Sequence, residues 1–226
     1  MMLDAAPRQV LKSDLFGHVE LLRPSDGTCM VIRDTRTARW WIAPLARWLA
    51  AREAKVLRGL PPARTDLPQL QSWSHGVLQR SFVAGRPMQQ ARPTQSEYFR
   101  KARRLVAQLH RHGIVHNDLA KEPNWIVDGA EPGLVDFQLA FRFRRRGRVF
   151  RLMAREDLRH LLKHKRTYCP QALTAREQQM LATPSLPARL WRRTGKLAYH
   201  VVTRSIFRWS DREGAGDRVF LRKTPG

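Results

Sequence analysis

HNDLAKEPNWIVDGAEPGLVDFQ, residues 116–138, joins a polar loop to two short apolar runs. The runs WIVDG and GLVDF flank Asp128-Gly129, a dipeptide that favours the tight turn of a β-hairpin. Such a hairpin would bring Asp136, at the end of its second strand, back toward the loop that holds His116, Asp118 and Asn124. Two carboxylates and one amide would then converge. Magnesium takes hard oxygen donors, commonly one or two carboxylates together with phosphate oxygens, and a nearby Lys or Arg would hold those phosphates. The unit therefore predicts a phosphoryl-transfer site, with its oxygen ligands among Asp118, Asn124 and Asp136. His116 is expected to brace the loop rather than to act as an acid or base.

Upstream of the loop, Tyr98, Ala102, Leu105 and Leu109 form the apolar stripe of a helix that Gly113 ends, with Thr94 and Glu97 spaced as a capping box. The Pro- and Gln-rich stretch 87–95 marks a change of lobe, and VLQRSFVAG (77–85) reads as a strand leading into it. Residues 9–35 alternate short apolar runs with turn signals at Phe16-Gly17 and Pro24-Ser25-Asp26-Gly27, predicting two or three antiparallel strands. A helix fits residues 43–60, stopped by Gly59 and Pro61-Pro62. Its stripe of Leu49, Glu53, Val56 and Leu60 includes a carboxylate, which costs several kcal/mol against a core unless a cation meets it. Glu53 therefore predicts a buried basic partner.

Downstream, FRFRRRGRVFR (141–151) alternates aromatics with arginines and reads either as the acceptor side of the cleft or as an exposed edge strand. A helix resumes over 155–165. A basic helix fits 186–209, its stripe of Trp191, Ala198, Val202, Ile206 and Trp209 packing in a core or lying on an anionic membrane, and residues 211–226 read as a frayed tail.

The chain has 226 residues and 42 basic against 19 acidic side chains, a net charge of +23. Such a field favours anionic neighbours, whether nucleic acid, membrane or phosphorylated substrates, without choosing among them. With 42% apolar residues the chain can bury a core, and no run approaches the roughly 20 consecutive apolar residues of a membrane span. The start offers no apolar segment fit for secretion, so the expected location is the cytoplasm, with the inner membrane face as a second, peripheral one. Cys29 and Cys169 have no metal-type spacing, which leaves zinc and disulfide scaffolds aside.

On these residues the chain resembles the protein-kinase-like superfamily. HNDLAKEPNW is similar to the catalytic loop H-R-D-L-x-x-x-N, and VDFQ to the D-F-G strand end, 18 residues after Asp118. FGHV (16–19) resembles the end of the glycine-rich loop, VIR (31–33) the strand that carries the phosphate-binding lysine, and REAKVL the helix whose glutamate pairs with it. Within residues 10–165 the likeness is greatest to small minimal kinases, the RIO type and the bacterial lipopolysaccharide-core (Kdo/heptose) kinases. It departs from the pattern in four places. Arg33 stands for lysine, Gly17 alone remains of the glycines, Asn124 lies one residue beyond the usual spacing from Asp118, and Gln138 replaces the glycine of D-F-G.

The resemblance implies an α+β, two-lobed protein-kinase-like fold. An N-lobe over 1–86 would hold a small antiparallel sheet and one helix, a mainly helical C-lobe would span 87–210, and a tail 211–226. It implies an ATP- and Mg2+-dependent phosphotransferase whose acceptor is a protein serine/threonine hydroxyl, or alternatively a lipopolysaccharide-core sugar. A third alternative is a non-catalytic basic module on a degenerate kinase scaffold. Asp118 would take the acceptor proton, Asn124 and Asp136 would hold magnesium as its metal ligands, Lys121 would offset charge on the moving group, and Arg33 braced by Glu53, with Gly17, would bind the nucleotide phosphates. The implied partners are ATP and an anionic acceptor or surface (a protein substrate, lipopolysaccharide or the inner membrane face), with nucleic acid or the ribosome as others.

Overall fold

A computed structural model describes residues 7–24, 27–62 and 64–183. The predicted helix over 186–209 and the tail 211–226 lie outside them. The chain up to Leu181 forms one compact unit.

Three strands open it: β1 (Arg8–Asp14), β2 (Gly17–Leu22) and β3 (Met30–Asp34). They are followed by α1 (Ala43–Leu57) and by the hairpin β4 (Leu70–Ser74) and β5 (Val77–Ser81). The five strands make one antiparallel sheet in the order β1-β2-β3-β5-β4. Sequence reading missed β4, because LQSWS has only two large apolar residues, Leu70 and Trp73, among polar ones. What gives it away is His75-Gly76, both at positive φ, the turn that feeds β5.

Strand register decides what faces α1. Val31 pairs with Arg80 and Arg33 with Leu78, so all four side chains share one face of the sheet. Against that face α1 sets Ala46, Ala50 and Ala54, whose small side chains let helix and sheet approach, and Glu53 among them. Gly17 follows the β1–β2 turn at φ +116, where a Cβ would strike the Asp34 carbonyl oxygen; glycine is required there by the neighbouring backbone.

The short strand β6 (Arg86–Pro87) pairs with β8 (Trp125–Asp128), which forms the predicted hairpin with β9 (Glu131–Leu134). Between them lie the single turn α2 (Met88–Ala91), then α3 (Ser96–Arg111) and β7 (Ile114–Val115). The α3 stripe is buried as expected, but the capping box does not form. The N-cap is Gln95 without a side-chain bond, since Thr94 sits one residue too early, and Glu97 instead pairs with Arg100 and Lys101 at 3.5 and 3.2 Å. Gly113, at φ +73, ends the helix where any Cβ would meet the Phe143 carbonyl.

The segment 141–151 is not a continuous edge strand. Only Phe141–Arg142 extends, as β10 on β7, and α4 (Arg148–Tyr168) begins well before the predicted residue 155. The reason lies in the aromatics. Phe143 and Phe150 turn inward onto Val115 and Ala154, while Arg144, Arg145 and Arg146 stay in solvent. A last helix, α5 (Ala175–Ala182), closes the described part. The main core gathers Met88, Tyr98, Leu109, Trp125, Leu134, Phe137 and Leu161, each buried side chain contributing about 1.5–3 kcal/mol.

Candidate active site

The loop after β7 is held by a residue that motif reading did not single out. Asp157 of α4, buried, accepts hydrogen bonds from the backbone N–H of His116 (2.8 Å) and of Asn117 (2.9 Å), and faces His110 Nε2 at 3.1 Å. Its position in a basic, amphipathic stretch, RLMAREDLRHLL, gave it the look of a helix-surface acid. Asn117 turns at φ +62, a conformation that asparagine tolerates better than most residues. The His116 ring lies 4.6 Å from that of Phe137, and its Nε2 meets the Val135 carbonyl at 3.0 Å. The imidazole thus ties the loop to the strand end that carries Asp136, in the bracing position.

Asp118 and Asn124 meet directly. Asn124 Nδ2 donates to the Asp118 backbone carbonyl (2.9 Å) and to its Oδ2 (3.0 Å), so the extra residue between them is absorbed by the 3-10 turn over Glu122–Asn124. Lys121 extends from the same loop with Nζ 2.9 Å from Asp118 Oδ2 and is largely exposed. The Asn124 carbonyl accepts from Val135 N at 3.0 Å, which locks the loop to the residue before Asp136.

Asp136 has φ +63, a left-handed backbone that aspartate, like Asn117, tolerates better than most residues yet at some strain, and such strain collects at functional positions. Its Oδ1 is buried with no hydrogen-bond partner. Burial pushes this carboxyl up, but Arg33 first, then Arg80, His116 and Lys121, hold it below the usual carboxylate range. It is an ionised oxygen donor aimed at a cationic neighbourhood.

Glu53, fully buried, receives two cations. The nearer is Arg80, whose guanidinium is hydrogen-bonded to Oε1; Arg33 reaches only to 3.9 Å of Oε2. The expected Arg33–Glu53 ion pair is present, and Arg80 joins it as the hydrogen-bonded partner that sequence reading did not name. Its signal was a lone arginine in VLQRS at the position opposite Val31, visible only once strand register is known. Arg33 keeps a buried Nε without a partner and lies close enough to lower Asp136, so it faces both the glutamate and the site. Gly17 lies at the β1–β2 turn against the carbonyl of Asp34, the residue after Arg33, and that close approach is its structural reason.

The donor set fits a hydrated divalent ion. Among the described residues no group of three or more His, Cys, Asp and Glu gathers, so such an ion would take Asp136 and Asn124 with oxygens from phosphates and water, as magnesium does.

A family model for the RIO domain matches residues 33–178, from Arg33 through the loop, the hairpin and α4. The chain belongs to the RIO-domain family. Its first two strands, with Gly17, precede the matched residues. The Rio2 kinase from Chaetomium thermophilum superposes with a TM-score of 0.56 at 16% identity, over 80% of this chain and 62% of that one. A Rio2 kinase-ADP/Mg2+-phosphoaspartate complex from the same organism gives 0.52 at 15% identity, over 85% and 67%. No curated protein matches the chain in sequence. The RIO domain here thus has the two-lobed, α+β, protein-kinase-like fold, and of the two kinds of minimal kinase that the motifs resemble, these matches are to the RIO kind.

Proposed function

We propose that this RIO domain transfers the γ-phosphoryl group of ATP, with magnesium, to a hydroxyl acceptor, most readily a protein serine or threonine. The observation that carries the reading is the pairing of Asp118 with Asn124 across the loop from a strained, ionised Asp136 whose buried oxygen has no partner. Asn124 and Asp136 would hold the metal, which when bound neutralises phosphate charge. Asp118 takes the proton of the acceptor hydroxyl as that oxygen bonds to the γ-phosphorus; the bond from phosphorus to the bridging oxygen breaks and ADP leaves. Lys121 offsets charge on the moving group, and Arg33 grips the nucleotide phosphates while Arg80 satisfies Glu53. The work is mostly positioning and electrostatics. A cytoplasmic location agrees with this use of ATP.

A second reading comes from the Rio2 kinase-ADP/Mg2+-phosphoaspartate complex, in which the phosphoryl group is on an aspartate. In that case a carboxylate oxygen of the chain is the acceptor, an acyl phosphate forms, and water later releases phosphate. Label on the protein that hydroxylamine removes would mark this route, whereas a hydroxyl ester would resist it. Both readings require the metal site. Titrating ATP into the protein by calorimetry should show magnesium-dependent binding that Asp136→Ala abolishes, and undiminished metal-dependent affinity in the variant would overturn the assignment.

A further inference from the structure

The outer side of α1 carries an apolar surface that phosphoryl transfer does not use. Trp40, Trp41, Leu45 and Trp48 are 86, 47, 43 and 56% exposed. The first two stand in the turn that enters the helix; Leu45, Trp48 and Arg52 then follow at spacings of three and four, one stripe turned away from the inner stripe of Ala46, Ala50, Glu53 and Ala54. The surface continues beyond the helix. The Arg52 guanidinium lies 5.3 Å from the Trp48 ring and 3.7 Å from that of Phe141, and both Phe141 and Leu139 are exposed beside it. Single exposed apolar residues are ordinary, but three exposed tryptophans and a leucine between residues 40 and 48 mark an interaction surface.

Charge tells what kind of partner it fits. From Arg36 to Arg58 the only acid is Glu53, and Glu53 is buried against Arg80, while Arg39, Arg47, Lys55 and Arg58 are exposed. The partner must take up indole rings and leucine while meeting cations of one sign. An anionic bilayer does both. Tryptophan settles at headgroup depth, arginine stems lie along apolar material with their heads on phosphates, and a helix with such a face lies in the interfacial plane. Nucleic acid would satisfy the arginines and stack on the indoles but has no use for Leu45 and Leu139.

We propose that the entry turn and outer face of α1 dock on anionic lipid bilayers, with Trp40, Trp41, Leu45 and Trp48 in the headgroup layer and Arg39 and Arg47 on lipid phosphates. This does not depend on nucleotide chemistry. The full chain should float with phosphatidylcholine vesicles containing about 30 mol% phosphatidylglycerol, poorly with phosphatidylcholine alone, and detach at high salt. Trp40→Ser with Trp41→Ser and Trp48→Ser should cut binding to the anionic vesicles about tenfold or more without lowering the melting temperature. Brominated lipid should quench the wild-type tryptophan emission more than that of the variant. Arg39→Glu with Arg47→Glu should also weaken anionic binding, and Asp118→Asn should bind as wild type does. The proposal is overturned if wild type ignores anionic vesicles, or if the tryptophan variant binds them unchanged. The latter result, coupled with loss of a concentration-dependent dimer or of single-stranded RNA binding, would assign the surface to that partner instead.

Discussion

Replacing Arg80 by methionine should destabilise the protein far more than replacing Arg33, although Arg33 is the residue that the kinase resemblance points to. Glu53 is fully buried, its hydrogen-bonded partner is Arg80, and Arg33 stands at 3.9 Å. Removing one member of a buried, hydrogen-bonded pair leaves an uncompensated charge and costs about 3–5 kcal/mol. Arg33→Met leaves the Arg80–Glu53 bond in place, so the longer 3.9 Å contact is lost while Glu53 keeps its hydrogen-bonded cation, and the cost should be the smaller of the two. For a unit of this size, where each kcal/mol shifts the melting temperature by about 2–4 °C, the loss becomes about 6–20 °C for Arg80→Met, with a smaller loss for Arg33→Met. The double change Arg80→Met with Glu53→Leu removes both charges and should recover most of the deficit. Thermal and urea unfolding of the four proteins in the Arg80/Glu53 cycle, with Arg33→Met beside them, would measure the coupling. Equal losses for the two arginines, or zero coupling between Arg80 and Glu53, would refute the assignment of Arg80 as the glutamate's partner. Phosphoryl transfer should follow the opposite order, with Arg33→Met impaired at nearly full stability.

Asp157→Asn should lower both stability and transfer, because it weakens two charge-assisted bonds to the loop backbone, each worth about 1.5–3 kcal/mol; hydrogen exchange at the His116 and Asn117 amides should rise, and unchanged protection would count against the anchor. A pH series should show the histidines of α4. Burial pushes both the His160 and His164 imidazoles down, in His164 against the raising effect of its bond to the Leu119 carbonyl. Below their ordinary value of about 6.5 the unfolded chain takes up protons that the folded one resists, so this stability is fully present above that pH and is lost as pH falls toward the lower folded values. The unfolding free energy from urea titration should therefore hold above about pH 6.5 and drop below it, by up to about 1.4 kcal/mol per pH unit for each imidazole, and His160→Asn with His164→Gln should flatten the curve.

Much of the site was legible because it is local. Residues 116–138 carry their own turn, their own hairpin and their own polar side chains, so the meeting of Asp118 with Asn124 and the placing of Asp136 beside them follow from short-range spacing. The α3 stripe was legible for the same reason: a single amphipathic helix announces its buried face by period. What escaped depends on pairing between distant segments. Arg80 matters only because β5 registers against β3 so that it faces α1, and Asp157 only because α4 crosses beneath the loop forty residues upstream. The aromatic-arginine run 141–151 misled because alternation suggests a strand, whereas burial of Phe143 and Phe150 split it into a two-residue strand and a helix start. The need of Glu53 for a cation was readable from its place on an apolar stripe; which cation answers it was not.

The claim that this RIO domain is a phosphotransferase is tested most directly by transfer from γ-labelled ATP with magnesium, comparing wild type with Asp118→Asn. Asparagine keeps the shape of the side chain but cannot accept the acceptor's proton, and loss of a general base typically costs about 10²–10⁴-fold in rate. The account predicts that label reaches a hydroxyl of a basic protein substrate, or of the chain itself, in wild type, and that the variant binds ATP with similar affinity yet transfers at least about a hundredfold more slowly. Equal transfer by both proteins, or ATP binding with no magnesium-dependent turnover in wild type under any acceptor, would contradict it.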